Sequence, residues 1–170
     1  MLSKTAVRFE VKSLDDAGQF VGLAAVFGNR DLGDDVILPG AFQKTIREKS
    51  TVPVLLGHSV NDVVGTGALR ETQQGLEING KLILQDNPPA QRAYALMKGG
   101  ALRGLSIGYD VVRHSLKNGV RLLHELKLFE VSLTAFPLNE LATVTAVKSH
   151  DDTRALQAID GLRRLLQKGR

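Results

Sequence analysis

The sequence predicts a mainly β protein of the α+β class, an antiparallel barrel or sandwich with a few peripheral helices. Most of its apolar stretches are short and have strand patterns, whereas only two or three segments show helical spacing. A parallel α/β sheet needs a crossover helix after nearly every strand, and this chain has too few helices for that arrangement.

The first half of the chain is predicted to consist mostly of strands. Residues 5–12 alternate apolar and polar side chains, and a turn separates them from a second strand at residues 19–27, so we expect a hairpin. A polar loop follows at residues 29–35. A short helix is predicted to open at Pro39, because Phe42 and Ile46 share a face at four-residue spacing. The remaining strands of this half are predicted at residues 52–56, 63–70 and 76–84.

The second half combines one helix with long strands. Asn87 can cap the first amides of a helix over residues 88–98, Pro88 suits its first turn, and two glycines end it. Strands are predicted at residues 105–113, 122–135 and 142–147.

The carboxyl-terminal segment has a different pattern. Its leucines and isoleucine recur at helical spacing, with Arg and Lys on the opposite face. We therefore divide the chain into a domain over residues 1–148 and a basic amphipathic helix or tail over residues 149–170. The tail is interpreted either as a helix packed on its own domain or a neighbour, or as a separate binding peptide. The apolar stripe consists of Leu156, Ile159, Leu162, Leu165 and Leu166.

Composition excludes several classes of protein. The 170 residues, 43% of them hydrophobic and 24% charged, are typical of one soluble domain with its own core. The absence of cysteine excludes disulfide frameworks, thiolate zinc sites and a cysteine nucleophile. No apolar run reaches the ~18–20 residues that cross a bilayer, and the amino terminus lacks a signal-peptide core, so we expect a cytoplasmic protein without a membrane partner.

The charge pattern does not favour nucleic acid as a partner. The net charge of +4 is concentrated near the carboxyl end, and acids and bases alternate elsewhere. Two tyrosines and no tryptophan offer little surface on which bases could stack.

Ser106 lies in the pentapeptide Gly-Leu-Ser-Ile-Gly, which fits the G-x-S-x-G pattern of a nucleophile elbow. The residues that follow are strand-like, whereas such an elbow leads into a helix, so the pattern alone identifies no nucleophile. In a strand, Ser106 and Gly108 share the face opposite Leu105 and Ile107, and the glycine leaves space beside the hydroxyl for a substrate backbone. A core serine bonded to a carbonyl is the alternative.

His58 and Glu130 are the candidates for proton transfer. His58 follows a buried strand, where a histidine can be structural or act as a general base. Glu130 lies in a run that is apolar on both faces, and regular alternation places it with Leu126 and Leu128. An ionised carboxylate there is costly without a partner, and an imidazole is a suitable partner. The alternative for Glu130 is a partly exposed carboxylate paired with Arg or Lys.

Three aspartates, Asp31, Asp34 and Asp35, raise the question of a metal site. Their spacing matches no calcium-binding loop. We therefore expect a solvated acidic turn, and neither a metal nor a cofactor.

The ordered set of motifs resembles the prohead proteases of tailed phages and related gene-transfer particles, which are similar to the herpesvirus capsid proteases. The resemblance spans roughly residues 9–147. One departure lies at residues 136–140, where many members have a small residue and a second proline around the asparagine. The motifs that carry the resemblance are Phe27-Gly28-Asn29, Asp34, Leu38-Pro39-Gly40-Ala41-Phe42, Leu55-Leu56-Gly57-His58, Gly104-Leu105-Ser106-Ile107-Gly108-Tyr109, Glu130-Val131-Ser132-Leu133-Thr134, Pro137, Asn139 and Ala142.

The resemblance implies a herpesvirus-protease-like antiparallel β-barrel and a serine endopeptidase activity. It implies Ser106 as nucleophile, His58 as general base and Glu130 as third member, a position at which herpesvirus relatives have a second histidine. The implied substrate is the scaffolding part of the major capsid protein precursor, inside the immature capsid, with self-cleavage near the carboxyl end. A dimer is a further expectation, although the activation of herpesvirus relatives by dimerisation does not by itself transfer to this chain. The alternatives are a non-catalytic capsid assembly protein with the same barrel and a general esterase.

Overall fold

The computed structural model describes residues 18–147. The strand predicted at residues 5–12 and the tail helix predicted after residue 150 lie outside the described residues. Neither described helix has the length and apolarity that crossing a lipid bilayer requires. The elements in chain order are β1 (Gln19–Val26), β2 (Asp35–Ile37), α1 (Gln43–Glu48), β3 (Thr51–Leu56), β4 (Ser59–Glu71), β5 (Gly75–Leu82), α2 (Pro88–Lys98), β6 (Gly104–Lys117), β7 (Val120–Thr134) and β8 (Val144–Val147).

The eight strands form one curled sheet. Its order is β2-β7-β3-β4-β5-β1-β8, and β6 pairs with β7 beside this path. Most pairs are antiparallel, whereas β2 and β3 both run parallel to β7. Gly104 at the start of β6 bridges Thr143 beside β8, so the curl closes into a half-barrel. The prediction of a mainly β protein with few helices is confirmed.

Two segments differ from the sequence prediction. The predicted polar loop at residues 29–35 ends in β2, where Asp35 is buried because it pairs with Arg121 of β7. Strand β4 begins at Ser59, four residues earlier than predicted, because a two-residue turn joins it directly to β3.

Helix α2 matches its predicted range, and Asn87 Oδ1 accepts a hydrogen bond from the Ala90 amide at 3.2 Å as its cap.

Strand β7 contains a bulge beside the candidate site. Leu128 lies opposite Tyr109 of β6, whereas Glu130 lies opposite Gly108, the residue directly before Tyr109. Two steps along β7 therefore match one step along β6, and Phe129 is the extra residue.

The bulge changes which residues of β7 face the core. Leu126 and Leu128 are core residues before it, and Val131 and Leu133 are core residues after it. Side chains alternate faces along a strand, so the core-facing positions change from even to odd numbers at the bulge. Glu130 consequently faces away from the core, and the expectation that it shares a face with Leu126 and Leu128 is wrong.

Helix α1 supports β7 just before the bulge. Because β2 and β3 pair with one edge of β7 at residues 121–123 and 131–133, the backbone between them needs other partners. Buried Thr45 supplies them: its Oγ1 donates to the Leu126 carbonyl at 2.9 Å and accepts from the Leu128 amide at 3.1 Å. The Leu126 amide donates to the Ala41 carbonyl at 2.9 Å.

Candidate active site

The outer face of the β6–β7 pair carries the candidate residues. Ser106 lies opposite Ser132, and Gly108 lies opposite Glu130, so the four share the face turned away from the core. The space beside Gly108 is already filled, however. A Cβ on Gly108 would overlap Glu130 Oε1 and come within 3.0 Å of the Glu130 Cγ and Cδ. The glycine therefore admits the Glu130 carboxylate, and the expectation that it leaves room for a substrate backbone is wrong.

His58 reaches this face from the turn between β3 and β4. Gly57 and His58 have φ angles of 59° and 62°, as a two-residue type I′ hairpin turn requires. The left-handed conformation is unfavourable for histidine, and two hydrogen bonds to β7 help to hold it. The His58 amide donates to Ser132 Oγ at 3.0 Å, and the Gly57 amide donates to the Leu133 carbonyl at 2.9 Å.

The imidazole and the carboxylate meet at this point. His58 Nδ1 lies 2.6 Å from Glu130 Oε1, and Ser132 Oγ donates to Glu130 Oε2 at 2.8 Å. Both carboxylate oxygens thus have partners, which compensates for the burial of Glu130, 8% exposed. A carboxylate at Nδ1 selects the tautomer with the proton there and leaves Nε2 free to accept one. The His58 side chain is 46% exposed, so its ring remains accessible.

Ser132 belongs to this network, although its position in the Glu130–Thr134 motif did not predict a role for it. It is fully buried and joins the His58 backbone to the Glu130 carboxylate. The signal was present in the sequence, because residues two apart in a strand share a face.

Ser106 is half-buried on the same face. Among residues 18–147, no hydrogen bond joins its hydroxyl to the His58 ring or to a carbonyl, so the alternative of a carbonyl-bonded core serine is not observed there. Catalytic hydrogen bonds are often long in enzymes without substrate and tighten when it binds. The structure therefore brings His58 and Glu130 together and places Ser106 on their face without a direct bond to either.

A small cavity adjoins Ser106. Its volume is about 20 Å³, close to the space that one water molecule needs. Apolar side chains form most of its walls, and the residues around it are Ala24, Ala25, Asp31, Ile37, Leu105, Ser106, Ile107, Tyr109, Leu138 and Asn139.

The three aspartates of residues 29–35, a segment named the first loop here, have protein partners. Asp34 pairs with Arg30 at 2.8 Å, and Asp31 Oδ1 accepts from two backbone amides of the loop. Asp35 is only 4% exposed and makes two hydrogen bonds of 2.6 Å with Arg121. The expectation of a solvated turn is thus wrong for Asp35, since its partner lies 86 positions away and local spacing does not reveal it.

A second serine–histidine pair lies elsewhere on the β6–β7 ribbon. Ser115 Oγ is 2.8 Å from His124 Nε2, and this contact is exposed. Within residues 18–147, no carboxylate pairs with His124. The pair therefore lacks the buried acid that His58 has.

Comparison with known proteins places the chain in a family. The family model described as caudovirus prohead serine protease matches residues 7–156. The chain is 31% identical to the prohead protease of Enterobacteria phage HK97 over 159 residues, covering 89% of this chain and 70% of the phage protein. It is also 31% identical to the capsid polyprotein of Pseudomonas phage PAJU2 over 150 residues, which are 84% of this chain and only 22% of the polyprotein.

Among solved structures, the fold is similar to the varicella-zoster virus protease. The TM-score is 0.48 at 15% identity, over 74% of this chain and 62% of that one, so the chain spans less than two thirds of the viral protease. The family match, in contrast, covers nearly the whole chain and includes every candidate residue described above. The chain belongs to the caudovirus prohead serine protease family and is a serine peptidase.

Proposed function

We propose that this peptidase cleaves the capsid precursor during phage head maturation, with Ser106 as nucleophile, His58 as general base and Glu130 as third member. The observation that supports it best is the 2.6 Å contact between His58 Nδ1 and Glu130 Oε1 on the face that carries Ser106. A buried carboxylate at this nitrogen orients the ring and stabilises its charged form.

Each residue then has one role in acyl transfer. His58 Nε2 takes the Ser106 proton as the hydroxyl attacks the scissile carbonyl, and it later protonates the leaving amine. Glu130 stabilises the imidazolium formed between these steps. Backbone amides must stabilise the oxyanion, and we expect them near Arg103 and Gly104. The next amide, that of Leu105, is already used, because it donates to the Ala142 carbonyl.

The names of the relatives support the choice of substrate. One relative is a prohead protease and the other a capsid polyprotein. The proposed substrate is the scaffolding part of the major capsid protein precursor, cleaved inside the immature capsid in the cytoplasm of the producing cell. Self-cleavage near the carboxyl end and a dimer are parts of the same proposal.

The proposal includes the division of the chain. Residues 1–148 form the protease domain, and the basic segment over residues 149–170 docks on a partner or is removed. Deletion of residues 151–170 tests docking, because normal incorporation of the truncated protein into proheads would contradict it.

Intact mass of the concentrated purified protein, alone and with capsid precursor, tests the chemistry. Wild type is expected to shorten itself and the precursor with time, whereas Ser106→Ala and His58→Ala remain folded and leave both intact. Ser115→Ala and His124→Ala are matched controls from the exposed serine–histidine pair, and they should cleave like wild type.

The alternatives predict other outcomes. A capsid assembly protein without chemistry would bind precursor and cleave nothing under any condition. A general esterase would hydrolyse small esters and spare the precursor. Cleavage by Ser106→Ala at the wild-type rate would remove Ser106 from the mechanism.

A further inference from the structure

The segment over residues 135–143 joins the strand that carries Glu130 to the strand that closes the half-barrel. Its large apolar side chains are mostly exposed. Phe136, Leu138 and Leu141 are 93%, 58% and 56% exposed, and Ala142 is its fully buried apolar residue. Hydrogen bonds therefore provide an important part of its attachment to the rest of the fold.

Asn139 makes three of the hydrogen bonds that join the segment to the rest of the chain, and the Leu138 carbonyl accepts another from the Leu32 amide at 3.0 Å. Asn139 Nδ2 donates to the Val26 carbonyl and to Asn29 Oδ1, both at 3.3 Å. Its Oδ1 accepts from Asn29 Nδ2 at 3.1 Å and from the Leu141 amide at 3.2 Å. One side-chain amide thus uses both donor hydrogens and both acceptor lone pairs.

The same residue fixes the end of the segment through the backbone. The Asn139 carbonyl accepts from the Ala142 amide at 2.9 Å. The Ala142 carbonyl in turn accepts from the Leu105 amide at 3.0 Å, directly before Ser106. A continuous series of hydrogen bonds therefore leads from Asn29 through Asn139 to the backbone beside Ser106.

The segment also forms a wall of the cavity next to Ser106. Leu138 and Asn139 line that cavity together with Ser106. A displacement of the segment would change both the backbone position of Ser106 and the cavity beside it.

We propose that Asn139 is a positioning residue for the nucleophile: it holds residues 135–143 on the first loop and thereby sets the backbone at Ser106. This rests on the proposed role of Ser106. Asn139 does not touch substrate in this proposal and acts through Ala142 and Leu105.

Two isosteric variants separate this role from a general effect of charge. Asn139→Asp keeps the acceptor for Asn29 and Leu141, but it cannot donate to the Val26 carbonyl. Its second carboxylate oxygen also faces Asn29 Oδ1, so an attraction becomes a repulsion. Asn118→Asp adds the same charge at an exposed turn position that does not belong to this series of hydrogen bonds, so it is the matched control. We expect Asn139→Asp to loosen the backbone beside Ser106 strongly and the control variant to change it little.

The first measurement is hydrogen exchange of the Leu105 amide relative to that of Ile78, a buried residue of β5 that pairs with strands on both sides. In Asn139→Asp, exchange at Leu105 should accelerate about tenfold, as expected for the loss of one or two net hydrogen bonds, with Ile78 unchanged. Unchanged protection of Leu105, or equal acceleration of both amides, would overturn the proposal.

The second measurement is the labelling of Ser106 by an alkyl fluorophosphonate. Asn139→Asp should lower the maximal labelling rate about tenfold or more, whereas Asn118→Asp stays within about threefold of wild type. Equal rates for Asn139→Asp and wild type would also overturn the proposal. Absence of labelling in wild type would instead contradict the proposed nucleophile, and hydrogen exchange would still decide the role of Asn139.

Discussion

Gly108 lies directly across the β6–β7 ladder from Glu130, and the place that a Cβ at this glycine would occupy is taken by the Glu130 carboxylate. A residue with no side chain therefore determines where the acid of the site can lie.

Gly108→Ala is expected to reduce peptidase activity at least about tenfold, because the added methyl group displaces Glu130 from His58. Steady-state cleavage of the precursor measures the loss. Gly33→Ala is the matched control, since a Cβ there meets only Asp31 Oδ1, at 3.4 Å. Full activity of Gly108→Ala would show that the contact between Glu130 and His58 is dispensable.

Glu130→Gln retains the shape of the side chain and removes its charge. We expect kcat to fall about 10²–10⁴-fold, because the amide stabilises imidazolium poorly and no longer fixes the tautomer. The loss should be smaller than that of Ser106→Ala, measured with the same substrate. An unchanged rate would exclude Glu130 from the triad.

Ser132→Ala leaves both the His58 amide and Glu130 Oε2 without the hydroxyl that they share. The free energy of unfolding should fall by about 1–3 kcal/mol, the usual cost of unsatisfied buried polar groups. Urea unfolding measures it, with Ser50→Ala at an exposed position as control. The double variant Ser132→Ala with Glu130→Gln should lose less than the sum of the single variants, because the residues are coupled; additive losses would argue against the coupling.

Thr45→Val tests the support of the bulge by α1. The substitution keeps the shape of the side chain but removes both hydrogen bonds to β7, so we expect a loss of about 1–3 kcal/mol in stability. Thr66→Val, on an exposed face of β4, should change stability by less than about 0.5 kcal/mol in the same denaturation experiment. Equal effects of the two substitutions would contradict a role for Thr45.

Tyr109 gives a pH dependence of stability. Burial is the main cause that raises the pKa of its phenol above the ordinary value of about 10, and the negative charges of Asp35 and Asp31 raise it further. The unfolded chain therefore releases this proton at a lower pH than the folded chain. The protonated Tyr109 phenol therefore makes its full contribution to the free energy of unfolding below about pH 10. This contribution is lost as the pH rises through the folded pKa of Tyr109.

Urea unfolding between pH 8 and pH 11 checks this expectation. Tyr109→Phe should show a shallower decline of stability with pH than wild type, whereas Tyr94→Phe controls for the loss of a phenol. Parallel curves for wild type and Tyr109→Phe would exclude the effect.

The sequence predicted those helices and strands that are determined by residues within or next to them. Helix α2 was predictable over its whole range because cap, proline and terminal glycines adjoin it in sequence. The site residues Ser106, His58 and Glu130 were identifiable as candidates from their motifs, and their roles remain predictions.

Features that depend on distant residues could not be predicted. The burial of Asp35 depends on Arg121, and the orientation of Glu130 depends on an extra residue in β7 that only the register with β6 reveals. A regular alternation was the natural assumption for β7, and the bulge at Phe129 reverses it.

The parallel pairing of β3 with β7 has a consequence for the order of folding. Ser106 and Glu130 lie on one hairpin, which brings nearby parts of the chain together, whereas His58 joins them only when β3 aligns with a strand more than 70 positions away. Long-range pairing closes a large loop and is slow compared with hairpin formation. We therefore expect His58 to join Ser106 and Glu130 only after the β6–β7 hairpin has formed, so a newly made chain gains its peptidase activity no earlier than this long-range pairing.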